Sequence, residues 1–377
     1  IMKKNARNAN YDLMKILSMF FIVLYHVIVH GNVLANIHNY TLYLITEIVL
    51  LICLVHVNSF VLVTGYFQCT NQFKASKVWQ LINSTMFYKI MIVLVAVLLF
   101  HNTLGPVPLL NQLSPILTDE YWFVKMYIIL YCLSPFLNIM IKNINQRQHK
   151  QLLWCLFVFF SIIPYITGGQ GFPNDGYTLY QFLFLYLLGA YFRKYPFLQS
   201  NIGKCFTKSK VQLILFFICI GCVIANYCFN TTLDVYMNTN RITNHLFQNM
   251  LGMKMAYSNP FVIVQSLAYF LLFATFSFKS SWISKISACT LGVYLLHDHT
   301  LMRYSLYVKL GVGTAPIYSH SFFFYMLAVS VLIFVVGIII EYFRQCLFKF
   351  IYNRKISIKI RKRYYRWVHS LSEETSS

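Results

Sequence analysis

Acidic side chains are scarce in this chain, with ten Asp and Glu among 377 residues, and charged residues of both signs reach only 11%. A soluble domain carries about 25% charged residues. The shortage therefore excludes a soluble domain of useful size. Several motifs are missing as well. No Walker A loop, no GxGxxG and no GxSxG occurs, so nucleotide hydrolysis, a dinucleotide cofactor and a serine-hydrolase elbow are all unsupported. No internal repeat stands out, which weakens an inverted-repeat transporter. The start shows no secretory signal with a small-residue cleavage site; Lys3, Lys4, Arg7 and Lys15 lead directly into a full-length apolar run. The ten cysteines, Cys53, Cys132, Cys155 and Cys219 among them, mostly sit in apolar runs. They read as small buried hydrophobes and indicate neither a disulfide framework nor a zinc site.

What is abundant is apolar surface, at 58% of residues. The long apolar runs recur through the whole length, which predicts one all-α, polytopic membrane domain over residues 1–345 and a basic cytoplasmic tail over 346–377. About ten spans can be laid down, at roughly 13–32, 43–66, 81–100, 121–141, 152–169, 178–192, 211–229, 256–277, 287–308 and 320–343. The sixth is short. The formal charge of +21 invites a nucleic-acid reading, but the basic residues cluster in short segments between apolar runs, as orientation signals do. If both termini are cytoplasmic, all but six of the 31 Lys and Arg fall inside; the six are Lys89, Lys125, Arg241, Lys254, Arg303 and Lys309. That asymmetry predicts an even number of spans. The polybasic stretch Arg354 to Arg366 is expected to favour the anionic inner leaflet.

The first apolar run carries the chemistry. It reads Asp12-Leu-Met-Lys15 through Tyr25-His26 and on to His30. A helix turns ~100° and rises ~1.5 Å per residue, so Lys15 and His26 lie within ~20° of one face and ~16 Å apart. Asp12 joins that face within ~40°, and His30 extends it. A polar stripe of this kind is costly in lipid and must face protein or a water-filled cavity. His26 is suited to act as general base, since neutral imidazole accepts a hydroxyl proton near neutral pH. A buried His26 bonded to a neighbouring helix is the alternative. Asp12 is either a cap at a helix start or a functional group. His26 and His30 have the i, i+4 spacing of a metal pair, but no residue at fixed spacing supplies a third ligand, so no metal is expected. Glu47, isolated in the second run, needs a partner or an acceptor role. Asp298, between His297 and His299 in mid-span, should face a cavity. Lys74 and Lys77 are orientation signals by themselves; beside Arg7 and Lys15 they can form a phosphate-binding rim.

Four stretches carry a resemblance. They are Arg7-Asn8 through Lys15 to His26; Val57-Asn-Ser-Phe-Val-Leu-Val-Thr-Gly-Tyr-Phe67; Tyr121-Trp-Phe-Val-Lys-Met-Tyr127 through Leu133-Ser-Pro-Phe-Leu-Asn138; and Leu291-Gly-Val-Tyr-Leu-Leu-His297. Together they resemble the acyltransferase-3 family of bacterial integral-membrane O-acyltransferases. The resemblance implies a multi-pass protein of the bacterial cytoplasmic membrane with ten spans. It implies a cytoplasmic acyl-CoA donor such as acetyl-CoA, no permanently bound cofactor, and the hydroxyl of a cell-surface or lipid-linked glycan as acceptor. It puts His26 in the family's histidine position and Lys15 in its basic one, brings Trp122 and His297 to the cavity, and matches Lys74 and Lys77 to a paired-basic motif in which arginines are commoner. The rival reading is a transporter or flippase of a polysaccharide precursor; a third is a structural partner in a polysaccharide-synthesis complex.

Overall fold

The computed structural model describes residues 8–100, 120–170, 173–200, 204–240, 244–313 and 321–353. All the regular structure among them is helical. The first helix, α1, runs Asn10–His30 without an internal glycine or proline. It stops at Gly31, where a Cβ would meet the Val27 carbonyl oxygen at 2.4 Å and the Val312 side chain at 2.9 Å. A short turn, α2 (Val33–Asn36), follows, entered through Asn32 at φ +53°. Helices α3 (Tyr40–Cys53) and α4 (Val55–Gln68) form one long rod with a break at Leu54. The Asn39 side chain caps it by accepting from the Leu42 N–H at 3.0 Å, the usual service of a short polar residue at a helix start.

Helix α5 spans Ala75–Phe100 and α6 spans Trp122–Asn143. Helix α7 (Gln146–Phe157) opens on a reciprocal capping box between Asn145 and Gln148. It continues through a π-helical turn (Val158–Ile162) into α8, Ile163–Ile166. The π turn is pinned by Ser161, whose hydroxyl donates to the Ser258 carbonyl at 2.6 Å. Helix α9 is Leu179–Lys194; at its end Lys194 Nζ donates to the Ile141 and Ile144 carbonyls at 2.8 and 2.7 Å. A cation there answers the unsatisfied carbonyls at the close of α6. The rest of the bundle is α10 (Lys208–Thr239), α11 (His245–Gly252), α12 (Pro260–Ala274), α13 (Ser281–Ser287), α14 (Thr290–His297), α15 (Thr300–Lys309) and α16 (Ser321–Asn353).

Among the described residues eight helices, counting joined pieces as one, are long and apolar enough to cross a membrane. Two of the ten expected spans fall short of that standard, for different reasons. The sixth is α9, with only 16 residues. The ninth is not one helix: it breaks at Asp298 and His299 into α14 and α15. The expected boundary at residue 345 falls inside α16, which runs on to Asn353; most of the basic tail lies outside the described residues. All ten cysteines are free, but only Cys53, Cys69 and Cys289 are buried within the protein. The others lie partly or fully on the outside of the bundle, so packing inside the bundle is not their general role.

Among the described residues the most extensive helix contact joins α4 to α9. A Cβ on Gly65 would meet the Tyr186 carbonyl oxygen at 2.1 Å, and one on Gly189 would meet the Leu62 carbonyl oxygen at 2.2 Å. Small residues let backbones approach in a membrane, where apolar side chains gain little by leaving lipid for one another. Here each glycine sits against the other helix's backbone, which has no rotamer to yield. Gly189→Val is expected to destabilise the protein by about 1–3 kcal/mol as overpacking does, seen as an earlier melt in detergent. Gly221→Ala, with nothing within 4 Å of the added carbon, should leave the melt unchanged or raise it.

Candidate functional site

A cavity of about 1770 Å³ opens inside the bundle, lined from α1, α4, α5, α6, α14 and α16 among others. One end carries Lys15, Lys77, Arg344 and Lys349. The other carries His26, His30, Asp298 and Arg303, with the rings of Trp122, Tyr177 and Tyr257. Helix α1 runs from the basic end to the histidine end, so Lys15 and His26 stand on one cavity wall as the helical spacing predicts.

The break in the ninth span builds the histidine end. The Leu301 N–H donates to His299 Nδ1 at 3.2 Å, so the imidazole caps the start of α15. The Thr300 N–H and hydroxyl both donate to Glu120 Oε1, at 3.3 and 2.7 Å. These bonds replace ladder bonds that an unbroken helix would make, and the chain can bend there without orphaned backbone groups. The bend presents Asp298 to α1. Its Oδ1 lies 3.5 Å from His26 Nδ1 and 3.8 Å from His30 Nε2, and accepts from Arg303 at 2.7 Å.

The tautomers follow from the hydrogen bonds. His297 Nδ1 lies 2.6 Å from the Val293 carbonyl oxygen, which can only accept. His297 Nδ1 therefore carries the proton, and its Nε2 is the acceptor of a neutral ring. His26 Nδ1 is 3.1 Å from that Nε2 and donates to it. The proton of neutral His26 is thus held on Nδ1, and Nε2 keeps a lone pair. His26, His30 and Asp298 also bring three ligand atoms within 4.8 Å of one another, a third ligand that sequence spacing did not show. The Arg303 guanidinium bonds the same carboxylate oxygen at 2.7 Å.

Two further networks flank the cavity. Glu120 accepts from Lys89 at 3.0 Å, with side-chain exposures of 6% and 0%, and His299 Nε2 lies 3.4 Å from its other oxygen. At the basic end Glu341 takes two bonds of 2.6 Å from Arg344 and one of 2.7 Å from Tyr88. Gly292 makes room for it: a Cβ there would meet the Glu341 carboxylate at 2.5 Å.

The other expected site residues divide. Trp122, His30 and Lys77 line the cavity. His297 is buried at 1% exposure and reaches the cavity only through His26. Asp12 does not meet His26, which lies ~21 Å further along the helix axis. It instead bonds Lys15 at 2.9 Å and accepts from Ser284 and Ser287, which makes it a positioning residue for Lys15. Lys74 is exposed and offers its backbone N–H to the Tyr131 hydroxyl; it does not line the cavity. Glu47 pairs with Lys254 at 2.6 Å, away from the cavity. Arg7 lies outside the described residues. Sequence reasoning passed over Arg303, Arg344 and Lys349. Arg303 was one of six basic residues outside the orientation pattern, and that exception was its signal.

Lys89→Met leaves the buried Glu120 carboxylate with the Thr300 N–H and hydroxyl and the His299 imidazole but without its lysine. Breaking a buried pair costs about 3–5 kcal/mol, whereas removing both charges is often close to neutral. The double change Lys89→Met/Glu120→Gln is therefore expected to melt above the single Lys89→Met in detergent.

The family model for an acyltransferase domain matches residues 8–342. No curated protein and no solved structure matches the chain. A match from α1 into α16, over a multi-pass bundle whose broken span delivers Asp298 to the first-helix histidine, leaves one assignment: the chain belongs to the acyltransferase-3 family of membrane acyltransferases.

Proposed function

We propose that the protein moves an acetyl or other short acyl group from cytoplasmic acyl-CoA to a hydroxyl of a cell-surface or lipid-linked glycan, with His26 as general base. The observation that carries this is the relay Val293 carbonyl, His297, His26. It fixes His26 with its proton on Nδ1 and its lone pair on Nε2, in the wall of a cavity whose far end is basic. An acyl-CoA is anionic at its nucleotide end and reactive at the tip of a long arm, and the cavity is polarised in the same sense. Lys77, Arg344 and Lys349 meet the phosphates; Lys15 is held at the mouth by Asp12.

The acceptor hydroxyl gives its proton to His26 Nε2 as its oxygen bonds to the thioester carbonyl carbon. The imidazolium is stabilised by Asp298, 3.5 Å from Nδ1. The carbonyl–sulfur bond then breaks, and the leaving thiolate takes the proton back from His26. Products are the ester and free CoA, with His26 restored to its starting tautomer. Active-site order follows from position: His297 orients the base, and Asp298 answers its charge.

His26→Ala is expected to lower transfer by on the order of 10²–10⁴ while acyl-CoA still binds, measured by transfer assay and calorimetry on purified protein. Near-normal turnover would remove the base assignment. Lys77→Gln/Lys349→Gln is expected to raise KM for acyl-CoA more than it lowers kcat, as lost ground-state binding does. Donor affinity should also fall with rising ionic strength, because contacts at a water-filled mouth are screened. Donor affinity unchanged in this variant and in salt would return both lysines to orientation signals.

A further inference from the structure

The two ends of the cavity differ in charge. At the histidine end the charged side chains on the wall are, among the described residues, Glu120, Asp298 and Arg303. Each is already matched: Asp298 with Arg303 at 2.7 Å, and Glu120 with Lys89 at 3.0 Å. A bound carboxylate or phosphate would have to share a cation that is already committed, and a buried charge without its own partner is costly. At the opposite end Lys15 pairs with Asp12 and Arg344 with Glu341, and Lys77 and Lys349 add two more cations to the wall. An anionic ligand belongs there.

The rest of the histidine end is aromatic. Trp122 and Tyr177 have ring centroids 4.3 Å apart, Tyr177 and Tyr257 are 5.2 Å apart, and Trp122 lies within 19° of parallel to Tyr257. Tyr177 is 41% exposed, so its ring offers open surface. Polar side chains with accessible surface share the same wall: His26 at 14%, His30 at 24% and Arg303 at 25%. An imidazole gives one donor and one acceptor, and Arg303 gives donors alone. An occupant that fits has a flat apolar face, a rim of groups that both donate and accept, and no charge. That is the description of a neutral sugar ring: its C–H face lies on the aromatic wall and its hydroxyls face the polar atoms.

We infer that the histidine end of the cavity takes an uncharged saccharide ring, laid against Trp122 and Tyr177, and discriminates against acidic sugars. The inference rests on the glycan-acceptor reading above and narrows it. It places the acceptor hydroxyl on the His26 side and the phosphates of the donor at the other end, so the two substrates meet without competing for cations.

The test uses the full chain in lipid nanodiscs, with methyl glycosides of glucose, N-acetylglucosamine and glucuronic acid as probes, titrated by ligand-observed NMR. At least one neutral glycoside should bind, and the glucuronide should bind about tenfold more weakly or worse, a penalty of the size an unmatched charge imposes. Trp122→Ala should weaken the neutral glycoside by about tenfold, Trp122→Phe should restore it, and Tyr177→Ala gives a second reading should the first variant fail to fold. Equal or tighter glucuronide binding overturns the inference, and so does absence of binding by every glycoside. Acyl-CoA calorimetry on the same nanodiscs separates the two readings. Selective glycoside binding without acyl-CoA binding would sink acyl transfer and keep the saccharide site. Acyl-CoA binding without glycoside selectivity would do the reverse.

Discussion

Asp298 is a carboxylate in the middle of an apolar bundle, and the rest of the site depends on how it is kept there. A lone charge at that depth is expensive. Arg303 answers it from the next turn of the chain, but only because the span is broken so that both residues face α1. The break in turn needs donors and acceptors for the freed backbone. His299 and Glu120 supply them, and Glu120 is held by Lys89 on α5. The sequence of dependence runs from a buried lysine, through a carboxylate and a helix start, to the aspartate that faces the first-helix histidine. The side chains of Lys89, Glu120, His299 and Asp298 are buried, and each stabilises the next in a low-dielectric interior.

The same logic sets the state of His26. In water an imidazole shares its proton between two nitrogens. Here the Val293 carbonyl fixes His297, and His297 fixes His26. A hydrogen-bonded orienter does for this ring what a carboxylate does in a hydrolase triad, except that the charge stands beside that bond, on Asp298 3.5 Å from Nδ1. A carbonyl is a gentler orienter than an anion, because it directs the proton without adding a charge to the bundle. The second histidine ring thus acts as the connector between backbone geometry and the reactive nitrogen.

Helical periodicity made part of this legible. A period of 3.6 residues puts Lys15, His26 and His30 on one face, and all three line the cavity. The apolar runs located the long helices, and the four family stretches agree with a match over residues 8–342. Other features depend on contacts between residues far apart in the chain, which periodicity does not contain. Asp12 shares the face of His26 yet turns to Ser284 and Ser287, 272 and 275 residues away. Glu47 and Lys254 find each other over 207 residues. The ninth run is apolar enough to pass for one helix; its break is written in the capping chemistry of His299 and in an acceptor, Glu120, that lies 180 residues earlier. Lys74 and Lys77 look equivalent in sequence, but only the second is on the cavity wall.

The cavity also bears on the choice between moving a glycan and modifying one. Alternating access requires one set of helices to rock against another about a central site. In this bundle the sets are tied together around that site. Tyr88 on α5 holds Glu341 on α16, and Lys89, one residue on, holds Glu120 at the head of α6. Glu120 holds α15, and Asp298 reaches α1. Glycines lock α4 to α9 at backbone distance. Rocking would have to break the buried Lys89–Glu120 ion pair together with the hydrogen bonds that tie these helices, and a buried pair is costly to leave open. A fixed cavity, basic at one end and with an oriented histidine at the other, suits the proposed acyl transfer, which needs no such motion.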